Sequence, residues 1–443
     1  MGVDTAEPNI DETEVGSYFV ANYPPFSVWS PQAVAEHALP ALDSPAAAVP
    51  LGLYLHIPFC RKRCHFCYFR VYTDKNASQV EEYLDLLVRE WDLYTDRRAI
   101  AGRRLDFVYF GGGTPSFLST RQLDSLVSRI TARTPWDTAA EITFECEPGT
   151  LTEAKLTAIR RLGVTRLSLG VENFDDRILE INGRAHRSPE IRRAYDVARR
   201  LAFPQINIDL IAGMLGETEE NWQACIEQTL ALAPDSVTIY QMELPYNTTI
   251  SRDLLKGSGR FEEPVAGWST KRRWVREAFA ALERAGYFVG SAYTAVRHPS
   301  STSFLYRDRL WQGADLVGLG VASFGHVNGV HIQNLDTWEA CREAIDRGEL
   351  PLGRAYRPSN EERLIREVVL QLKRGSIRPA YFAGKYGVDI LSRFDTAWAV
   401  LRGEGYLERA DEDLVRLTRD GLMRVDTLLP RFFLPEHQSI RYT

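Results

Sequence analysis

Six short apolar runs rich in β-branched and aromatic residues recur along the first half of the chain: Leu51 to Ile57, Asp106 to Phe110, Glu141 to Cys146, Arg166 to Val171, Ile206 to Ile211 and Ser236 to Gln241. An amphipathic stretch at helical spacing follows each one. Parallel strands need long crossovers, and an amphipathic helix is the crossover that also covers the sheet's apolar face. Six such units in a row predict an α/β fold whose parallel sheet curves into an open or partial barrel. The first helix carries the plainest signals. Ser78 and Glu81 have capping-box spacing, and Val80, Leu84, Leu87 and Trp91 form one apolar stripe. Ligands of such sheets sit at the carboxyl ends of the strands, so chemistry is expected just after each run.

The flanks differ. Residues 1–49 hold Pro8, Pro24, Pro25, Pro31, Pro40 and Pro45, which predicts an irregular N-terminal extension with at most one short helix. A helix over 268–286 and the run Tyr287 to Tyr293 continue the core, and the Gly-rich Gly313 to Asn328 reads as tight packing against it. Beyond 358, the stretches 361–377 and 394–408 read as helices before a short β pair near Val415 to Leu417. The expected domains are an extension at 1–49, a barrel at 50–355 and a smaller, mostly helical C-terminal domain at 356–443.

Charge and cysteine content narrow the function classes. With 53 Lys and Arg against 59 Asp and Glu, the net charge is 53 − 59 = −6, and no basic stripe suggests a nucleic-acid partner. The acidic N-terminus lacks the features of a secretory leader, and no apolar run is long enough for a membrane span, so a cytoplasmic location is expected. Six cysteines are too few for a disulfide scaffold, yet three of them fall within 60–67, which asks for a metal.

Cys60, Cys64 and Cys67 follow the first strand with C-x3-C-x2-C spacing. Three thiolates on one loop can hold three irons of a cubane and leave the fourth open; a zinc site would need a closing ligand such as His65 or a distant residue. Gly111, Gly112, Gly113 and Thr114 follow the second strand, where bare backbone N–H groups can approach a carboxylate or ribose, or simply make a tight turn. Asp209 sits in the apolar run NIDLIAG and needs a partner, because an isolated buried carboxylate is costly. Glu243, in YQMELPYNT, stands at the mouth of the sixth strand, where a base or substrate contact is expected. Cys146, Cys225 and Cys341 are isolated and read as buried small apolar residues. His298, His326 and His331 lack metal-site spacing. Tyr18, Phe19, Tyr23, Phe26 and Trp29 could close as an aromatic lid over an extended planar substrate.

HIPFC-x3-C-x2-C, with YFGGGTP at 109–115, ECEPG at 145–149, LSLGVENF at 167–174 and NIDLIAG at 207–213, resembles the radical SAM enzymes related to oxygen-independent coproporphyrinogen III oxidase. The resemblance implies a radical SAM partial barrel with a HemN-like C-terminal domain. It implies a [4Fe–4S] cluster on Cys60, Cys64 and Cys67, and S-adenosylmethionine (SAM), in two molecules, held by Tyr54, Phe66, Gly112, Gly113, Thr114, Glu145, Glu172, Arg184, Asp209 and Ile211. Tyr54, Glu172 and Glu243 are the expected catalytic positions, and a flavodoxin or ferredoxin the expected electron donor. Two departures stand out. Glu172 replaces the family's usual glutamine, and Tyr68 and Phe69 stand where the oxidases usually carry a further cysteine. These departures, with room for a second SAM, lead to the expectation of a C-methylase or cyclopropanase acting on an sp2 carbon of a planar or unsaturated natural product. A separate methyltransferase is an expected partner. The oxidase and a HemW-like haem chaperone are the alternatives.

Overall fold

The computed structural model describes residues 13, 15–16, 19–257, 259, 261 and 263–438. Six parallel strands lie side by side in chain order: β1 (Leu51–Ile57), β2 (Phe107–Gly112), β3 (Glu141–Cys146), β4 (Arg166–Glu172), β5 (Gln205–Ala212) and β6 (Ser236–Gln241). Helices Ala77–Thr95, Thr120–Arg133, Glu153–Arg161, Ser188–Arg200 and Glu219–Leu232 lie in the connections between them. The partial barrel expected from the sequence is present and does not close.

The sheet instead runs on past both edges. β7 (Phe288–Val289) and β8 (Thr294–Val296) extend it antiparallel beyond β6. On the other side β9 (Asp315–Leu319) pairs parallel with β1, followed by β10 (Phe324–Val327), β11 (Val330–Asn334) and β12 (Leu352–Tyr356), giving twelve strands in all. The Gly-rich run expected to pack tightly does so as β9 and β10.

Side chains alternate across the parallel strands. Leu53, Leu55 and Ile57 of β1 and Leu167, Leu169 and Val171 of β4 are buried in the hydrophobic core. Their neighbours Tyr54 and His56, and Arg166, Ser168 and Gly170, line the cavity instead.

The first long helix begins two residues before the expected capping box. Asn76 caps it, accepting from the Gln79 amide at 3.0 Å, while its own amide donates to Gln79 Oε1 at 3.1 Å. Asn caps as well as Ser, so Ser78 falls inside the first turn and Glu81 pairs with Arg121 at the surface. The expected stripe of Val80, Leu84, Leu87 and Trp91 is buried.

The N-terminal segment crosses the open side of the sheet: the Gly16 amide donates to the Leu244 carbonyl at 2.8 Å, and Ser30 pairs with Ala355 of β12. It holds short helical turns at Val34–Ala38 and Leu39–Asp43. The C-terminal region contributes helices Asn360–Leu372, Pro379–Tyr386 and Asp395–Gly403 and a small sheet of β13 (Ser376–Ile377), β14 (Leu407–Ala410) and β15 (Val415–Leu417), one strand more than expected. One hydrophobic core extends from Val20 to Phe433. Among the described residues no helix is long and apolar enough to cross a membrane.

Candidate active site

β1 ends at Ile57, and the chain turns through a loop that carries Cys60, Cys64 and Cys67 to the carboxyl end of the sheet. The loop is fixed at several points. The Cys60 amide donates to the Tyr72 carbonyl (3.0 Å), the Tyr72 amide to the Pro58 carbonyl (2.8 Å) and the Cys67 amide to the Cys64 carbonyl (3.2 Å). Arg61, between the first two thiols, grips Glu147 with Nε to Oε2 at 3.1 Å and Nη2 to Oε1 at 3.0 Å. Glu147 is also 3.1 Å from His186 Nδ1. Burial opposes its ionisation, yet hydrogen bonds from His186 and Arg61 outweigh that and hold the carboxyl down to about 2.

The three thiols face one cavity. Thr114 donates to Cys60 Sγ at 3.3 Å, and Arg184 Nη1 to Cys64 Sγ at 3.2 Å. Burial and then the neighbouring thiols push Cys60 up to about 12 and Cys67 to about 11. Three half-buried sulfurs close enough to disfavour each other's charge want a cationic core between them. Among the described residues no three His, Cys, Asp or Glu side chains converge tightly enough for a single metal ion. His65 is engaged elsewhere, with Nδ1 3.0 Å from the Ile181 carbonyl and its ring against Phe261. The donor set therefore fits the separate corners of a cubane and not a zinc ion closed by His65.

Gly112 and Gly113 crowd this loop. A Cβ on Gly112, whose φ is +115°, would stand 2.7 Å from the His56 ring, and one on Gly113 3.0 Å from Cys60 Sγ. Gly111 and Gly112 are the last residues of β2 and not a turn after it, because the ladder with β1 runs on to Ile57–Gly112.

The acidic positions named from the sequence come together on the concave face. Glu145 accepts from the Tyr109 hydroxyl at 2.6 Å and the Gly112 amide at 3.3 Å, and burial raises it to about 7. Glu172 ends β4 at a register shift, with φ +66°, and lies 3.6 Å from Arg184. Burial raises it to about 7 against the pull of Arg184. Asp209 has the partners its burial requires: Ser168 Oγ and Asn207 Nδ2 each donate to it at 2.8 Å. Arg184 donates through Nη2 to the Gly170 carbonyl at 2.6 Å. Phe66 packs on an apolar cluster that contains Ile211. Tyr54 stacks against Tyr109 with centroids 5.8 Å apart, and Glu243 lines the mouth.

These groups line one cavity of about 1480 Å³. Its rim carries exposed aromatics, Tyr68, Phe69, Tyr240, Tyr246 and Phe324. Phe19, Phe26 and Trp29 of the N-terminal segment line it too, whereas Tyr23 is buried and Tyr18 lies outside the described residues. Cys146, Cys225 and Cys341 are buried; of His298, His326 and His331, the last two line the cavity, with Nδ1 atoms 2.9 Å apart. Sequence reasoning missed Arg61, Glu147, Tyr109, Arg166, Phe304 and Tyr306. Alternation within β2 and β4 marks Tyr109 and Arg166 as facing the cavity; the others have no local signal.

Residues 54–228 match the Radical SAM superfamily. The oxygen-independent coproporphyrinogen III oxidase of Pseudomonas aeruginosa is 28% identical over 408 residues, covering 88% of this chain and 83% of the relative. The heme chaperone HemW of Escherichia coli is 31% identical over 285 residues, covering 63% of this chain and 70% of the relative. The crystal structure of coproporphyrinogen III oxidase (HemN) from Escherichia coli superposes with a TM-score of 0.80 at 23% identity, covering 94% of this chain and 96% of that one. These relatives overturn the expectation of a C-methylase or cyclopropanase, and with it the need for a separate methyltransferase. Tyr68 and Phe69, on which that expectation leaned, belong to the aromatic rim.

Proposed function

This chain belongs to the radical SAM superfamily, in the HemN-like group, and on that footing we propose that it carries out the oxidative decarboxylation of a porphyrinogen-type tetrapyrrole. The observation that carries the reading is the cavity. At about 1480 Å³ it exceeds what a drug-sized ligand fills, and it runs from the three thiols to an aromatic rim and a floor that holds an arginine. Room for SAM beside a large planar substrate is what such a reaction needs.

Cys60, Cys64 and Cys67 would hold three irons, and the bound [4Fe–4S] cluster supplies the electron that splits SAM into a 5′-deoxyadenosyl radical. Around it the chain's own groups bind and orient. The Gly112 and Gly113 backbone with Thr114 would face the amino acid end of SAM. Glu145, Glu172 and Asp209 would accept from hydroxyl or ammonium groups, Arg184 would pair with a carboxylate, and Tyr54, Phe66 and Ile211 would wall the adenosine. Glu243 would meet substrate at the mouth. The reading includes a cytoplasmic setting and a flavodoxin or ferredoxin as electron donor.

The test is an anaerobic incubation of reconstituted protein, pre-reduced and freed of excess reductant, with SAM, coproporphyrinogen III and a one-electron acceptor, which takes the electron released when the substrate radical loses carbon dioxide to give the vinyl group. Deoxyadenosine formation together with carbon dioxide release is expected. Deoxyadenosine without carbon dioxide refutes the decarboxylation, and tight haem binding in its place identifies a carrier of the HemW kind.

A further inference from the structure

We propose that the inner part of the cavity around Arg166 is a carboxylate pocket, and that it takes one acidic side chain of the substrate. The tetrapyrrole reading supplies the occupant; the pocket itself follows from the side chains.

Arg166 opens β4. Through the ladders, Tyr54 pairs with Tyr109, Tyr109 with Thr143 and Thr143 with Arg166, so these residues share one level, midway along β1 to β3 and at the start of β4. The thiols follow the carboxyl end of β1. Glu145 and Ser168 pair one step above Arg166, about 7 Å along the strands at roughly 3.3 Å per residue. Arg166 therefore lies deeper in the cavity than the cysteine loop and the Glu145–Ser168 level, where a substrate held beneath SAM would place an inward-pointing arm.

The side chain is 2% exposed and lines the cavity, yet its Nε has no hydrogen-bond partner. Its one donation within the protein, Nη1 to Ser168 Oγ, is long at 3.5 Å. Among the described residues no carboxylate lies within ion-pairing distance. The partly buried Arg103 and Arg307 meet Asp315 at 2.6 Å and Asp308 at 2.8 Å, and the buried Arg366 donates through Nε to Asn22 Oδ1 at 2.6 Å and through Nη1 to the Leu310 carbonyl at 3.2 Å. The nearby acids are already engaged, Asp209 with Ser168 and Asn207, and Glu145 with Tyr109 and Gly112. Asp209 and Glu145 are near enough to feel the charge, Asp209 through the bridging Ser168 hydroxyl, but neither pairs with it directly, and a carboxylate arriving with the substrate would take up the N–H groups left over.

The pocket is constructed around that charge. The Phe304 ring lies 4.1 Å from Arg166 Cζ, a stacking contact that leaves the N–H edges of the guanidinium to accept a forked carboxylate. Phe304 is fixed from β3: the buried Glu141 accepts the amides of Leu305 at 2.9 Å and Tyr306 at 3.1 Å. Tyr306 in turn packs on Tyr109 with centroids 4.3 Å apart, giving the pocket an apolar wall for the carbon stem that carries the acid.

Coproporphyrin III, the stable aromatised tetra-acid, and its tetramethyl ester serve as probes, with dissociation constants read from fluorescence quenching of the reconstituted protein. The wild-type protein should hold the acid at least roughly tenfold tighter than the ester. Arg166→Gln should weaken the acid by a similar factor and leave the ester where it was, and Arg166→Lys should fall between them. Phe304→Leu, which keeps the charge and frees its orientation, should weaken the acid in the same direction and stands in should the Gln variant fold poorly. If the acid is preferred equally by wild type and both Arg166 variants, the pocket lies elsewhere while the tetrapyrrole reading stands. If the wild type binds neither probe, the occupant proposed here is wrong along with that reading.

Discussion

The hydroxyl of Tyr109 stands 2.6 Å from Glu145 Oε1 and holds that carboxyl in the cavity alongside the Gly112 amide. Burial raises Glu145 to about 7, and the Tyr109 hydrogen bond is the largest of the effects drawing it back. Tyr109→Phe therefore lifts it further and leaves it mostly protonated at neutral pH. If Glu145 binds SAM as a carboxylate, SAM affinity of the variant should fall near pH 7 and recover as pH rises, over a scan from roughly pH 6 to 9. Titration calorimetry on reconstituted protein reads this. A profile superposable on that of the wild type would remove Glu145 from the SAM site.

Glu172 predicts a pH dependence of stability of unusual sign for an acid. Its carboxyl is raised to about 7 by burial, from 4.5 in the unfolded chain. Between those values the folded state holds a proton that the unfolded state has released, so stability falls as pH rises through the window. Glu172→Gln removes the dependence. Cluster-free wild type should lose about 2 kcal/mol relative to the variant between roughly pH 4.5 and 7.5 in urea unfolding. A constant difference across that range would show that Glu172 is not raised.

Glu147 predicts the opposite sign. It is held down to about 2, so its stabilisation is complete above the unfolded value of 4.5 and disappears as pH falls through about 2. The carboxyl is nearly buried and shared by Arg61 and His186, so Glu147→Gln should cost about 3 kcal/mol near neutrality. Because Arg61 lies between two of the proposed cluster ligands, the variant should also take up less iron on reconstitution, in the direction of Cys60→Ala. Full iron with the same stability loss would mean that the loop holds its shape without this pair.

How much of this was legible depended on whether the signal was local. The ends of β1, β3 and β6 were readable because β-branched runs stop at turn residues. The stretch that forms β9 and β10 was not, since β9 is buried throughout and the stretch is rich in glycine, and it therefore shows no clear alternation. The thiols and Glu243 could be named because they follow β1 and β6, whereas Gly112 at the end of β2, Glu145 and Glu172 at the ends of β3 and β4 and Asp209 within β5 belong to the motifs that carry the family resemblance. Arg166 also obeys the strand alternation of RLSLGVE. What makes it informative is the absence of a carboxylate and the presence of Phe304, both set by chain folding far from β4. The N-terminal extension likewise gave no hint of where it would be fastened.

That fastening supports a last prediction. Lys373 is 1% exposed at its side chain, and its Nζ reaches Asp426 Oδ1 and the Val20 carbonyl, each at 2.7 Å. The Val20 amide donates back to Asp426 Oδ1 at 2.9 Å, and Tyr293 donates to the other oxygen. One carboxylate thus joins the N-terminal segment, the sheet edge and the C-terminal region around the cavity it lines. Asp426→Asn keeps an acceptor for Val20 but leaves Lys373 as an uncompensated buried cation, which should cost about 3 to 5 kcal/mol. Lys373→Met should be milder, because an apolar chain fits the site and Asp426 keeps two donors. The double variant should then recover much of the single Asn variant's loss, a coupling that thermal unfolding of all four proteins measures directly. Strict additivity would show that the three segments are held by packing of Phe19, Val20 and Tyr293 and not by the shared charge.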